Sequence, residues 1–185
     1  MDNWIFKYHE AIKKKEVIVG VWVRLSFEIL TTGLLNGEWE FNEKKANKAI
    51  KFIENFCHHS EGRSDLLHLE LWQKAIVSAI FGVMDKTTGY RQFREVFIIV
   101  ARKNGKTLFA AAIAAYMTYV DGEYGAKVYF LAPKLDQADL VYDAFYQIVQ
   151  SDDELDSITK KRRSDIYIKA FNTSVKKIAF NSKKS

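Results

Sequence analysis

Cysteine and proline are nearly absent from this chain: its 185 residues include one of each, Cys57 and Pro133. A lone cysteine excludes an internal disulfide and suits a reducing compartment, so packing has to hold the fold together. One proline and nine glycines leave little room for a linker or a low-complexity tract. There is no internal repeat and no signal peptide, since the first twenty residues interleave charge with apolar positions. Long uncharged apolar runs are missing too. Val17 to Leu35 comes nearest to a membrane span, but it contains Arg24 and Glu28, four apart and able to pair on one side of a water-soluble helix. What is plentiful is ordinary: 48% hydrophobic and 28% charged residues, enough for one sizeable core or one domain with an appendage. The net charge of +5 fits a polyanionic partner.

Residues 3 to about 60 read as helical. Ile5, Tyr8 and Ile12 share a face of a first helix that ends in Lys13-Lys14-Lys15. Val17 to Leu35 reads as a buried helix, although Val17 to Val23 alone could pass for a strand. Asn42 is placed to cap a helix whose stripe is Ala46, Ala49, Ile50, Ile53 and Phe56 or Cys57. Cys57, His58 and His59 invite a metal reading. Adjacent helical side chains diverge by about 100° and no second ligand cluster exists, so a core cysteine beside solvent-facing histidines is the better account. Glu61 to Asp65 is the one linker-like shift in composition, and Leu66 to Met84 is helical again, with Leu71-Trp72-Gln73 inside it.

The organising stretch follows. Val96 to Val100 is a short apolar run, expected as a strand buried on both faces. A polar turn, Ala101-Arg102-Lys103-Asn104-Gly105-Lys106-Thr107, leads into the alanine-rich helical run Leu108 to Met117. Strand, glycine-bearing turn and helix opened by Lys-Thr form the architecture of a phosphate-binding P-loop, or Walker A motif. Backbone N–H groups and the helix dipole would face a polyphosphate, Lys106 its outer phosphates, and the Thr107 hydroxyl a magnesium ion. Only the second half of the usual pattern matches, because Val100 stands where the first glycine belongs. The competing account is a surface turn that happens to be basic.

Beyond it, Lys127 to Ala132 is a second buried strand stopped at Pro133. Asp136 can cap a helix from Gln137 to about Gln150 with Ala138, Val141, Tyr142 and Phe145 inward. Alternation of strand and helix with short links predicts a mostly parallel, doubly wound sheet. Ser151 to Asp156 is an acidic loop, and Lys160-Lys161-Arg162-Arg163 reads first as a solvated basic face. Ile166 to Phe171 and Val175 to Phe180 read as a hairpin turning at Asn172-Thr173.

Three groups of residues in order carry a resemblance. They are Leu71-Trp72-Gln73 with Phe81-Gly82; Phe93-Arg94-Glu95 leading into Ala101 to Thr107; and Asp121-Gly122-Glu123 before Val128-Tyr129 and Gln137-Ala138. Together they resemble the large terminase subunit of tailed bacteriophages, whose variant loop Arg-Lys-Asn-Gly-Lys-Ser/Thr tolerates loss of the first glycine. The resemblance implies an α/β P-loop NTPase core at residues 66–185, preceded by an N-terminal helical segment at 1–65. It implies ATP and magnesium as cofactors, and ATP hydrolysis coupled in the intact protein to moving double-stranded DNA into a procapsid. A small terminase subunit and a portal would be partners, with the protein cytoplasmic in a bacterial host and no membrane involved.

Residue by residue, the resemblance makes Gln73 the adenine reader, where the residues alone read as a packed helix position. Lys106 and Arg102 become catalytic, Arg102 through the γ-phosphate, with a solvated loop cation as its alternative. Arg102, Lys103, Asn104, Gly105, Lys106 and Thr107 line the nucleotide and Thr107 holds the metal; Lys103 is the one nearest to an ordinary solvated lysine. The family's apolar strand ending in Asp-Glu, its coupling motif and its nuclease domain have no counterpart, since Asp152-Asp153-Glu154 follows a helix end. The chain is therefore expected to be a terminase part that stops before its second acidic motif, incomplete at its C-terminal side and with little turnover. Loss of that strand would leave Val96 to Val100 as an unpaired edge, open to self-association or to cover by a displaced hairpin. Another motor ATPase such as a helicase, or a non-catalytic nucleotide-binding fragment, is the alternative.

Overall fold

A computed structural model describes residues 3–59 and 62–180. It divides into two compact units, Met1–Lys51 with His68–Ile99, and Phe52–Leu67 with Val100–Ser185. Helix and strand both contribute, so the class is mixed α/β.

The first unit is built on helix starts and one apolar cluster. Helix α1 (Trp4–Lys13) begins at Asn3, whose side chain accepts from the N–H of Ile5 at 3.0 Å and of Phe6 at 3.4 Å. Its Ile5, Tyr8 and Ile12 are buried as their spacing predicts. They pack with Phe27, Ala75 and Val83, the Tyr8 ring meeting Phe27 edge-on at 4.7 Å. Helix α2 (Val21–Leu35) is helical as read, but it starts at Val21 rather than Val17. It is not a buried helix: only Phe27, Thr31 and Gly33 are buried, leaving the opposite side open. Strand β1 (Glu40–Phe41) and helix α3 (Glu43–Phe56) follow, the helix passing into the second unit at Phe52. Asn42 caps α3 by accepting from the N–H of Lys45 at 2.9 Å, and Ala46, Ala49, Ile50 and Ile53 form its buried stripe.

Helix α4 (Leu71–Gly82) starts five residues later than the apolar pattern implied, because Glu70 and Gln73 form a reciprocal capping box there. Strand β2 (Val83–Met84) then pairs antiparallel with β1. The close fit at this end depends on Gly82. A Cβ there would stand 2.7 Å from Cε2 of Phe41 and 2.9 Å from Cβ of Ala46.

In the second unit, helix α5 (Lys106–Tyr119) leads to strand β3 (Lys127–Ala132) and helix α6 (Leu135–Gln150). A short helix α7 (Asp153–Ser157), β4 (Thr159–Lys161), β5 (Ile166–Ile168) and β6 (Thr173–Ala179) complete it. The sheet order is β3-β6-β5-β4, with β3–β6 parallel and the other two pairs antiparallel. A mixed sheet thus replaces the mostly parallel one expected. The four-residue links on either side of β5 can join only antiparallel neighbours, whereas β3 and β6 are separated by a helical crossover.

Four further expectations need correction. Val96 to Val100 form no strand; Phe97 is 90% and Ile99 83% exposed. Composition suits them to a strand, but a strand exists only with a hydrogen-bonded neighbour, and the hairpin that might have covered them pairs with β3 instead. Strand β3 has the expected bounds but is covered on one face only. Phe130 packs on Tyr142 and Phe145, while Tyr129 and Leu131 are exposed. The acidic loop is partly helical, because Asp152 caps α7 through the N–H groups of Glu154 and Leu155 and so seats Leu155 in the core. Helix α6 also begins two residues early, with Asp136 in its first turn rather than at its cap.

Gly82→Ala is expected to destabilise the protein by roughly 1–3 kcal/mol, as overpacking of a closed contact does. Urea unfolding of the two proteins checks this; equal midpoints would mean that Phe41 yields freely.

Candidate nucleotide site

The loop from Ala101 to Gly105 is shaped by two left-handed residues. Lys103 has φ 67° and Gly105 φ 66°, on either side of Asn104. Turns that mix left- and right-handed residues aim consecutive N–H groups into one concavity, which suits an anion. Nothing lies within 4 Å of a Cβ built on Gly105, so the backbone conformation, not space, calls for glycine there. Asn104 holds the turn shut, its Nδ2 donating to the carbonyls of Ala101 at 3.3 Å and Arg102 at 3.2 Å. Sequence reasoning placed Asn104 in the loop without seeing this latch.

Gly105 is also the N-cap of α5, and no side chain caps that helix. Its first turn contains no acidic residue, so the positive end of the dipole is not offset locally. Residues 101–106 are exposed and Thr107 half-buried. Arg102, Lys103, Lys106 and Thr107 thus come together around one free helix start. Behind them the helix is anchored by Phe109, Tyr116 and Tyr119, all buried; the Tyr119 ring stacks with Phe145 at 6.4 Å. A rigid helix carrying an open basic turn is what a phosphate cradle requires.

Gln73 has a second occupation. It is 8% exposed, and its Oε1 accepts from the N–H of Glu70 at 2.8 Å as half of the capping box. It belongs to the first compact unit, the loop to the second. The Glu-x-x-Gln spacing at 70–73 was a visible signal for this role.

The second unit also contains the adjacent Cys57, His58 and His59. Among the described residues no group of three metal-ligating side chains exists. Cys57 is fully buried, and burial, aided by the charge of Asp152, pushes its thiol up to about 12. Reactive cysteines are exposed and have depressed pKa values. In the folded protein Cys57 is therefore expected to resist a thiol reagent at pH 8 and to react on unfolding. Because the neutral form is favoured on folding, its contribution to stability is present below pH 9 and lost as pH rises through about 12. Thiol titration with and without denaturant checks the first point; full labelling of the native protein would place Cys57 outside the core. The basic run is also partly spoken for: Lys161 lies over Tyr146 at 3.9 Å and Arg162 over Tyr167 at 3.6 Å.

Comparison with known proteins bears on the fold and the family. No curated protein matches the chain. Among solved structures it is similar to the HK97 bacteriophage large terminase, with a TM-score of 0.63 and 24% identity, which bears on the fold. That likeness covers 76% of this chain but only 28% of the other. The family model described as "Terminase large subunit, ATPase domain" matches residues 71–184, a span that holds α4, the basic turn and the whole four-stranded sheet. The chain belongs to the family of the terminase large subunit ATPase domain.

Proposed function

We propose that this chain is the nucleotide-binding part of a phage DNA-packaging motor, and that the turn from Arg102 to Thr107 binds the phosphates of ATP. The carrying observation is the open turn itself: two left-handed residues, three exposed cations and an uncapped helix start within one short segment. Donor chemistry fits a polyphosphate, since every charged side chain of the turn is positive.

In this reading Lys106 neutralises the outer phosphates, Arg102 stabilises charge on the γ-phosphate, and Asn104 keeps the turn in shape. Lys103 and Gly105 supply the backbone curvature. Thr107 would hold magnesium, which neutralises phosphate charge when bound. Gln73 reads adenine. Residues 66–185 act as the nucleotide-binding part and 1–65 as a helical segment, a division of roles rather than of packing. In the intact protein the sheet extends into a doubly wound P-loop arrangement. ATP turnover there drives double-stranded DNA into a procapsid, with a small terminase subunit and a portal as partners, in the cytoplasm of the bacterial host.

Titration with a fluorescent ATP analogue in the presence of magnesium tests the loop. Lys106→Ala is expected to weaken binding about tenfold or more, and Lys103→Ala by much less, because only Lys106 opens the helix at the phosphates. Equal losses, or none, would refute the assigned register.

For Gln73 the two roles can be separated. Gln73→Ala should lower stability by roughly 0.5–2 kcal/mol through the broken capping box. It should also narrow the preference for ATP over GTP, a bidentate contact to adenine carrying ~1–3 kcal/mol of discrimination. Glu70→Ala breaks the same box while leaving the amide in place, so it should lower stability and preserve the preference. If both variants keep the preference, Gln73 is a capping residue alone.

A further inference from the structure

Helix α2 is apolar on two opposite sides, and the fold uses one. Phe27 and Thr31 face the first unit's core, with Leu30 and Leu34 packed beside them. On the other side Trp22, Leu25 and Ile29 recur at spacings of three and four, which aligns them in one stripe. They are 78%, 36% and 62% exposed, and Val21 on the border is 51% exposed. A contiguous apolar stripe of this kind on a soluble chain marks an interaction surface.

We propose that this stripe docks a second copy of the chain, the two α2 helices crossing antiparallel about a two-fold axis near Leu25 and Ser26. The spacing is self-complementary about that point. Trp22 stands as far before it as Ile29 stands after it, so each Trp22 meets Ile29 of the second copy. The helix carries only two charged residues, Arg24 and Glu28, on the same edge of the stripe. In an antiparallel pair like edges meet, and Arg24 of one copy comes opposite Glu28 of the other on both sides of the axis. Among the described residues no ion pair joins Arg24 to Glu28. Ser26, small and exposed, lets the backbones approach at the centre. A membrane surface is a poorer occupant, because helices that lie on membranes carry an excess of Lys and Arg beside the apolar face, and here the two charges cancel. One helix per protomer makes a small interface, below about 1,200 Å², so the dimer is reversible and weak.

Sedimentation equilibrium of the full chain over a concentration series is the test, at low ionic strength, with circular dichroism to verify folding. The wild type should show a monomer–dimer equilibrium, and Trp22→Glu, at a site too exposed to disturb the core, should abolish it. Arg24→Glu or Glu28→Arg alone should each weaken dimerisation about tenfold, since both symmetric pairs turn from attraction to repulsion. The double swap Arg24→Glu with Glu28→Arg should restore it, which a merely structural role for either residue would not produce. A monomer at every concentration, a dimer indifferent to Trp22→Glu, or a double swap no better than the single changes would overturn the proposal. So would a monomer that instead binds phosphatidylserine vesicles through Trp22.

Discussion

An α-helix cannot satisfy the first N–H groups of its own backbone, and much of this structure follows from how each helix start meets that demand. Asn3, Asn42 and Asp152 cover theirs with a side-chain oxygen, and Glu70 with Gln73 does so reciprocally. Those starts are finished locally, and the helices behind them serve packing. Helices α2, α5 and α6 have no side-chain cap, and of these α5 is set apart by its surroundings. It opens on a left-handed glycine with no side-chain cap and no carboxylate in its first turn, surrounded by cations. A helix start left open in that setting suits an anion from outside. The demand that side chains meet at α1, α3 and α4 is met by no side chain at α5.

Gln73 has an observed structural role and a proposed functional one. Its carbonyl oxygen closes the capping box of α4, while the resemblance to terminases assigns the same amide to adenine. These roles are compatible in principle. The oxygen has two lone pairs and the nitrogen two protons, and the capping bond uses one of the four. A box that fixes the rotamer would also aim the remaining groups, so capping can be the means of orientation for recognition.

Apolar residues in this chain are distributed more generously than the fold consumes them. The outer stripe of α2, the stretch from Val96 to Ile99 and the open face of β3 at Tyr129 and Leu131 all remain in contact with solvent. Burial of such residues is favourable by about 25 cal/mol per Å² of apolar surface wherever a partner surface is supplied. For α2 the spacing and the two opposite charges describe a partner like itself. For β3, pairing through the backbone is complete on the β6 side, and the exposed residues concern its face.

Local chemistry was legible in the residues. The periodicity of Ile5, Tyr8 and Ile12, the cap at Asn42, the bounds of β3 and the basic turn before α5 are decided within a few positions, since a helix face, a cap or a tight turn involves only near neighbours in the chain. The fold class followed from those pieces in order. Other features depended on residues far away. Whether Val96 to Val100 became a strand, whether α2 was covered on one side or two, and which strands stood beside β6 all turned on what long-range neighbour was present. Composition records a residue's preference for burial or extension, but not the partner that satisfies it. That is why the basic turn before α5 could be found by reading the chain, whereas the mixed sheet and the bare stripe of α2 emerged only when its distant segments were brought together.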